Sequence, residues 1–559
     1  LEPAVVGRRS RVFLYGYRYG EVKLPKLPEI KTGTVFTLRP DIIDIANRPV
    51  VQVSLGCHVE GAALPHCDPR DPDTTIAGVR KRAAFKPPKA EPALLEELRQ
   101  FTRRYVRKHY SPISPDADTS VETWLSKTNY PEWRKEELRR KWSVVQNIRD
   151  RSKGYFRVKS FMKDEVYPEY KHARGINSRS DEFKCAVGPI FKLMEEIVYA
   201  DPSFIKHVPV KDRPNYIMER LYFPGAKYSA TDYTAFESLF VKELMEACEF
   251  ELYSYLTQKL PDGDDFMDLI RTVLTGINDC LFKTFRVRIP AARMSGEMNT
   301  SLGNGFSNLM FMLFLCEKNG CTNVKGVVEG DDGFFSCVGK FPTSADFSRL
   351  GLVIKMEIHE KINTASFCGI IFDPDERINL TDPVGELLTF GYTTTKYAKC
   401  KDSKLRLLLR CKSLSLAHQY PGCPIVAELA EYGLRMTNDV RAADVAKFIK
   451  TSGSLNNWER EQMLLLKDCK NIPFRDPGIN TRLLCEEKFG VSVEYQIAIE
   501  KYIRSLTSLM PLSSPLLDDI IPPVARDYFN RYSAVRRLDE KLDEPAIYWG
   551  KMEGWKKEW

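Results

Sequence analysis

Apolar positions cluster in short runs near the start of the chain, in Arg11-Val12-Phe13-Leu14-Tyr15 and Val50-Val51-Gln52-Val53. Such runs predict strands within residues 1 to about 60. Pro65, Pro69 and Pro72, then Pro87, Pro88 and Pro92, punctuate an irregular connection. Residues 94–109 read as a helix carrying Arg103, Arg104, Arg107 and Lys108. A Pro/Asp/Ser stretch at 111–120 separates it from a second charged helix at 132–147. From about 155 to 380 the pattern mixes strand and helix. Beyond about 400 it becomes mainly helical, beginning with Leu405-Arg406-Leu407-Leu408-Leu409-Arg410. The Lys and Arg residues of that last region have two readings, a wall of a nucleic-acid channel or a solvated helix face. There is no internal repeat and no low-complexity tract.

The most informative segment is Val327-Val328-Glu329-Gly330-Asp331-Asp332-Gly333-Phe334-Phe335, in which apolar residues flank a tight acidic turn. It predicts a β-hairpin with two carboxylates at its tip. Burying both unpaired is costly, so a divalent cation is their natural partner. Taken alone the turn is a weak signal, since most such turns are simply solvent-exposed. Upstream, Lys227-Tyr228-Ser229-Ala230-Thr231-Asp232 reads as a strand ending in an acid, with Glu237 five positions later. Asp232 brought beside Asp331 would form a two-metal site, which stabilises both attacking and leaving oxygens in phosphoryl transfer. On these acids alone a structural role competes. Between them lies Arg293-Met294-Ser295-Gly296-Glu297-Met298-Asn299-Thr300-Ser301-Leu302-Gly303-Asn304. Gly296 and Gly303 predict a loop running into a helix that begins near Thr300 and is anchored by the apolar residues that follow. Thr300 and Asn304 are four apart and share one helical face. Their hydroxyl and amide can read a sugar there, or serve ordinary helix capping.

Composition narrows the class without deciding it. With 43% hydrophobic and 28% charged residues, disorder is not the default. A length of 559 residues predicts several packed subdomains. The net charge of +8 fits a basic channel on a mixed surface but does not by itself identify nucleic acid. Fourteen cysteines without a framework spacing predict free thiols in a reducing compartment. Cys57-His58 with His66-Cys67 supplies four potential zinc ligands. Adjacent residues on an extended segment point to opposite faces, however, which favours a buried or incidental cluster. The longest apolar run, Leu309 to Cys316, is far short of the about 20 residues a membrane span needs, and no signal peptide is evident. The chain begins at Leu1 rather than Met, which predicts a processed product or an expressed piece, with any membrane anchor on a missing segment or a partner.

Taken together and in order, these elements resemble the palm motifs of the RNA-dependent RNA polymerases of positive-strand RNA viruses. Asp232 with Glu237 resembles motif A. Ser295, Gly296, Thr300 and Asn304 match motif B at each defining position, and Gly330-Asp331-Asp332 matches motif C. Leu352-Val353-Ile354-Lys355-Met356-Glu357 is similar to motif D, whose lysine is proposed to protonate the leaving pyrophosphate. Ser366-Phe367-Cys368-Gly369 is similar to motif E, the primer grip. Lys159 and Lys163 in 158–165, with Arg174 and Arg179 in 173–179, resemble motif F, the basic roof over the incoming triphosphate. The resemblance covers about residues 155–375. Its style in motif B is closest to tombusvirus-like and nodavirus-like replicase catalytic subunits. One departure is Glu237, where the family's motif A ends in Asp. It bears on sugar reading and leaves the metal site intact.

The resemblance implies an α+β right hand. Residues 1–90 would be an N-terminal extension, and 91–220 the fingers with motif F. The palm would span 221–380, with an inserted fingers segment at about 245–285, and the mainly helical thumb 381–559. It implies templated transfer of rNMP from rNTP to an RNA 3′-hydroxyl. Asp232, Asp331 and Asp332 would organise two Mg²⁺ ions (Mn²⁺ able to substitute), and Lys355 would act as general acid. Lys159, Lys163, Arg174, Arg179, Glu237, Ser295, Gly296, Thr300 and Asn304 would line the nucleotide site, and Phe367, Cys368 and Gly369 the primer grip. The implied partners are RNA template and product, rNTPs, other viral replicase proteins and, through a partner or missing segment, host membranes. The implied location is membrane-associated replication complexes in the host cytoplasm. Two rivals are weighed against this. A reverse transcriptase would want a bulky aromatic in place of Glu237 and would lack this motif B. A silent RNA-binding scaffold would have lost a catalytic acid.

Overall fold

The computed structural model describes residues 10–39, 49–145, 153–451, 467, 472 and 474–537. The fold is α+β, with sheets that are antiparallel apart from one pair of strands. The central sheet has four strands in the order Ile354–His359, Lys227–Tyr233, Asp332–Val338 and Thr322–Glu329. It is built from the segments that carry the acids. The helix Thr300–Lys318 packs against the hairpin of that sheet. Its side chains are apolar nearly all round, as in Leu302, Phe306, Leu309, Met310 and Phe311, so it is buried on every side.

A second sheet carries the basic segments. Its order is Val35–Leu38, Phe285–Ile289, Asn278–Leu281, Arg157–Met162 and Gly175–Arg179, with Arg157–Met162 parallel to Asn278–Leu281. The segment after the first acid therefore returns to the same sheet as the strands that carry Lys159 and Arg179. Helix Pro92–His109 presents Leu94, Leu95, Leu98, Phe101 and Val106, one face at helical spacing, to the core that also holds helix Thr300–Lys318. Its Arg103 pairs with Glu251 and its Arg104 with Glu317. The second charged helix runs Glu132–Val145, and the remainder of the predicted 132–147 lies outside the described residues.

A third sheet joins distant parts of the chain in the order Tyr392–Thr394, Val50–Ser54, Ser10–Tyr15 and Ser533–Arg537. The described residues before position 91 enter more than one core. Leu55, Cys57 and Val59 enter a core with Leu387, Leu409 and Leu429, whereas Val79 and Ala84 enter another with Val158, Phe285 and Met294. The helical C-terminal region includes Asp402–Gln419, Val426–Met436, Ala442–Thr451, Ile479–Phe489 and Val493–Ser505. The cations of its first helix serve the fold. Arg406 pairs with Asp439, Arg410 donates to the carbonyls of Leu434 and Thr437, and Lys412 donates to those of Thr389 and Tyr392.

The Cys57-His58 and His66-Cys67 pairs point into separate networks. His58 Nδ1 meets Ser54 Oγ at 2.6 Å, and His66 Nε2 meets Asp164 at 2.8 Å. The Cys67 thiol donates to the Tyr17 hydroxyl. Among the described residues no helix is long and apolar enough to cross a membrane.

Candidate active site

The register of the central sheet assembles the acids. In the antiparallel ladder Gly333 faces Thr231, so Asp332 and Asp232 follow at the same end of adjacent strands. Asp331 lies at the hairpin tip, and Asp332 faces Glu329 across it. The turn is held from the helix below, where Asn308 Nδ2 donates to the Asp331 carbonyl at 3.0 Å. Glu329 is neutralised by the buried Arg213 at 2.7 Å, which leaves the three aspartates as the charged rim.

Like charges crowd this rim. Asp332 is exposed as a residue, but its carboxyl is hemmed in by the turn. Withdrawal from solvent, and then the charge of Asp331, push it up from 3.8 to about 6. Glu329 and Asp232 push the same way, and the Cys368 thiol opposes them by hydrogen bonding. A set of hard oxygen donors under mutual repulsion suits a hard divalent cation. As placed, no three His, Cys, Asp or Glu side chains among the described residues are close enough to enclose a metal ion. The donor chemistry of the aspartates is that of a Mg²⁺ ligand set.

This sets a pH dependence. The folded chain holds the Asp332 proton more tightly than the unfolded chain, so the metal-free protein loses stability as pH rises from 3.8 to about 6. A cation that neutralises the rim removes that loss, and below the window it must first displace a proton. We therefore expect Mg²⁺ to raise the Tm more at about pH 7.5 than at about pH 5. Equal increments in thermal melts at the two pH values would contradict this.

A cavity of about 250 Å³ is linked to the rim by Glu237, a lining residue that feels the charge of Asp331. Lys163, Arg174, Asn177, Glu237, Ser295 and Arg82 are among the residues that line it. Glu237 is brought there because the chain after the first acid reverses through Ala235, at φ 48°, into a short turn of helix. Burial, followed by repulsion from Asp331, raises the Glu237 pKa, and the cations Arg82 and Arg174 oppose the rise. The motif B loop is clamped to the basic strand. Asn177 N–H donates to Ser295 Oγ at 2.9 Å, and Gly296 N–H donates to the Asn177 carbonyl at 2.7 Å. A Cβ on Gly296 would lie 2.8 Å from that carbonyl oxygen, so only glycine permits the approach.

Several residues expected at the nucleotide site are placed elsewhere. Arg179 is fully buried and ion-paired with Glu297, with a further bond to Asn278. It is absent from the cavity lining, held inside the protein by these buried partners. Lys159 also lies outside the cavity lining. Thr300 Oγ donates to the Met294 carbonyl at 2.8 Å and accepts the Glu297 N–H, which is local capping. Asn304 is buried, and its Oδ1 accepts from Arg293 Nε at 3.0 Å rather than facing Glu237. Lys355 stands opposite Asp232 in the ladder, with 72% of its side chain exposed, paired to Glu357 at 2.7 Å. That pairing raises its pKa above the ordinary lysine value. Phe367, Cys368, Gly369 and Ile370 form a tight turn with Cys368 and Gly369 at positive φ, and the turn brings the Cys368 thiol to the acidic hairpin.

The sequence reading missed the buried pair beneath the motif B helix. Arg293 and Glu249 meet at 2.5 Å with neither side chain exposed. Tyr253 and Asn299 donate to Glu249, and the Phe240 ring covers the guanidinium at 4.3 Å. The Arg293 N–H also holds the Glu237 carbonyl at 2.9 Å. One arginine thus joins the Glu237 backbone to the Asn304 side chain. Arg293 stands next to motif B and gives a weak signal, whereas Glu249 and Arg82 lie in segments without any motif.

In comparisons with protein-family models and with curated protein sequences, none matches this chain.

Proposed function

We propose that this protein is an RNA-dependent RNA polymerase with a right-hand architecture of fingers, palm and thumb. The observation that carries the reading is the shared end of two adjacent strands, which brings Asp232 to the Asp331-Asp332 turn, with Glu237 linking that end to a cation-lined cavity. Asp232, Asp331 and Asp332 would hold two Mg²⁺ ions. Bound there, the ions supply charge stabilisation to the attacking and leaving oxygens of nucleotidyl transfer. The protein's own groups bind and orient. Lys163 and Arg174 face the triphosphate, and Ser295 and Gly296 fix the basic strand over it. Glu237 acts on the ribose side, and Arg293 braces it from behind, holding its backbone carbonyl while bonding the buried Asn304. Phe367, Cys368 and Gly369 hold the primer strand against the acidic turn. Template pairing selects the base, and RNA binding weakens steeply with salt through counterion release.

A primer-extension assay offering rNTPs or dNTPs with Mg²⁺ tests the reading. Extension with rNTPs supports it. A preference for dNTPs would point to reverse transcription, and RNA binding without extension to a scaffold. In the cell, replicase partners and membrane attachment through a partner or further segment would place the enzyme at replication complexes in the host cytoplasm.

Lys355 is proposed as the proton donor to pyrophosphate, from its position across the ladder from Asp232. An exposed lysine contributes at the low end of general acid catalysis, so Lys355→Leu should slow single-turnover addition by about 10²-fold. The alkaline limb of the pH–rate profile should flatten in the variant. Retention of both rate and profile would remove Lys355 from the chemistry and make Lys361 the next candidate.

A further inference from the structure

We propose that Arg82, from the N-terminal region, binds the triphosphate of the incoming nucleotide, so that residues 72–82 form one wall of the substrate site. The inference rests on the polymerase reading and extends it to a segment with no polymerase motif. The cavity that Glu237 borders has four cationic side chains on its lining, Arg82, Lys163, Arg174 and Arg293. Three are already committed. Lys163 and Arg174 share Glu165, at 3.0 and 3.4 Å, and Arg293 is consumed by Glu249. Arg82 lines the same cavity, and its guanidinium forms no hydrogen bond or ion pair among the described residues. Its field reaches Arg174 on one side and Glu237 on the other.

The placement is built into the local fold. Asp71 caps helix Pro72–Lys81 by accepting the Thr74 N–H, and proline opens its first turn. Gly78 lies so close to the basic segment that a Cβ there would be 2.4 Å from the Ala173 carbonyl oxygen. Ala173 immediately precedes Arg174. The close approach therefore sets Arg82, at the end of the helix, beside Arg174 rather than in solvent. Val79 and Ala84 bury in the core of the same sheet and hold the segment from behind. A partner-free guanidinium fork next to a second arginine matches the geometry and charge of phosphate oxygens. Glu237 keeps the pair of cations from being wholly uncompensated before substrate arrives.

The test uses the full chain, with Arg82→Ala and Arg82→Lys compared with wild type. Thermal melts establish that each variant is folded. In steady-state primer extension, Arg82→Ala should raise KM for rNTP by about 10–100-fold, the loss typical of a charge-assisted contact, with kcat much less affected. Arg82→Lys keeps the charge without the fork and should lie between. KM for dNTP should rise by the same factor, because phosphate recognition ignores the sugar. A changed rNTP/dNTP ratio would overturn the phosphate assignment in favour of sugar reading through Glu237. Calorimetry with Mg²⁺-free tripolyphosphate, a probe without sugar or base, should show a parallel loss of affinity in Arg82→Ala. An unchanged KM alongside normal wild-type extension sinks the role of Arg82 and leaves the polymerase reading standing. If the wild type does not extend a primer at all, the polymerase reading fails, and the calorimetric comparison alone decides whether Arg82 binds polyphosphate.

Discussion

Asp331→Asn is expected to abolish nucleotide addition while the fold and RNA affinity stay near those of the wild type. Asp331 sits at the tip of the hairpin, where its side chain is exposed and supports no core. The turn itself is held through the Asp331 backbone carbonyl by Asn308, and that bond survives the substitution. Asparagine keeps the shape and removes the charge, so what is lost is cation binding rather than structure. It also removes the first like charge acting on Asp332, so the Asp332 pKa should fall back toward 3.8 in the variant. Extension rate, RNA affinity and melting temperature measured side by side check this. Substantial Mg²⁺-dependent extension in a preparation free of wild type would rule out Asp331 as a metal-holding residue.

The second large effect is on stability and reaches the site from beneath. Glu249→Ala leaves Arg293 buried with its charge uncompensated, and Arg293 already has one buried N–H group without a partner. Removing one partner of a buried pair typically costs about 3–5 kcal/mol, and we expect that loss in denaturant unfolding. The joint substitution Glu249→Leu with Arg293→Met removes both charges and should recover much of the stability. It should not recover activity, because Asn304 then loses the arginine that orients it. Full activity in the stable double variant would mean that the pair serves the fold alone.

What was legible in the sequence was local. The acidic turn between apolar runs became the hairpin Thr322–Glu329 and Asp332–Val338, and the glycine-flanked loop led into a helix at Thr300. Both follow from patterns within a dozen residues, strand alternation and turn chemistry in one case and capping with an apolar run in the other. The misplacements arise from partners far away in sequence. Arg179 looks like a free cation until Glu297, 118 residues on, arrives to pair with it. Asn304 looks available to a ribose until Arg293 is turned toward it by Glu249. The strands Ser10–Tyr15 and Val50–Ser54 pair with 533–537 and 392–394, and no local signal announces such pairings. Arg82 was invisible for the same reason, since only the close approach of Gly78 to Ala173 reveals what it faces.

The central claim is templated RNA synthesis, and the most direct measurement is incorporation directed by a chosen template. The wild-type protein is given a primed RNA template, Mg²⁺ and one labelled rNTP at a time, and the next template base is then changed. The account predicts that only the complementary rNTP is added, and that its identity follows the template base in every case. Addition that ignores the template base, or no addition with any of the four rNTPs, would contradict it.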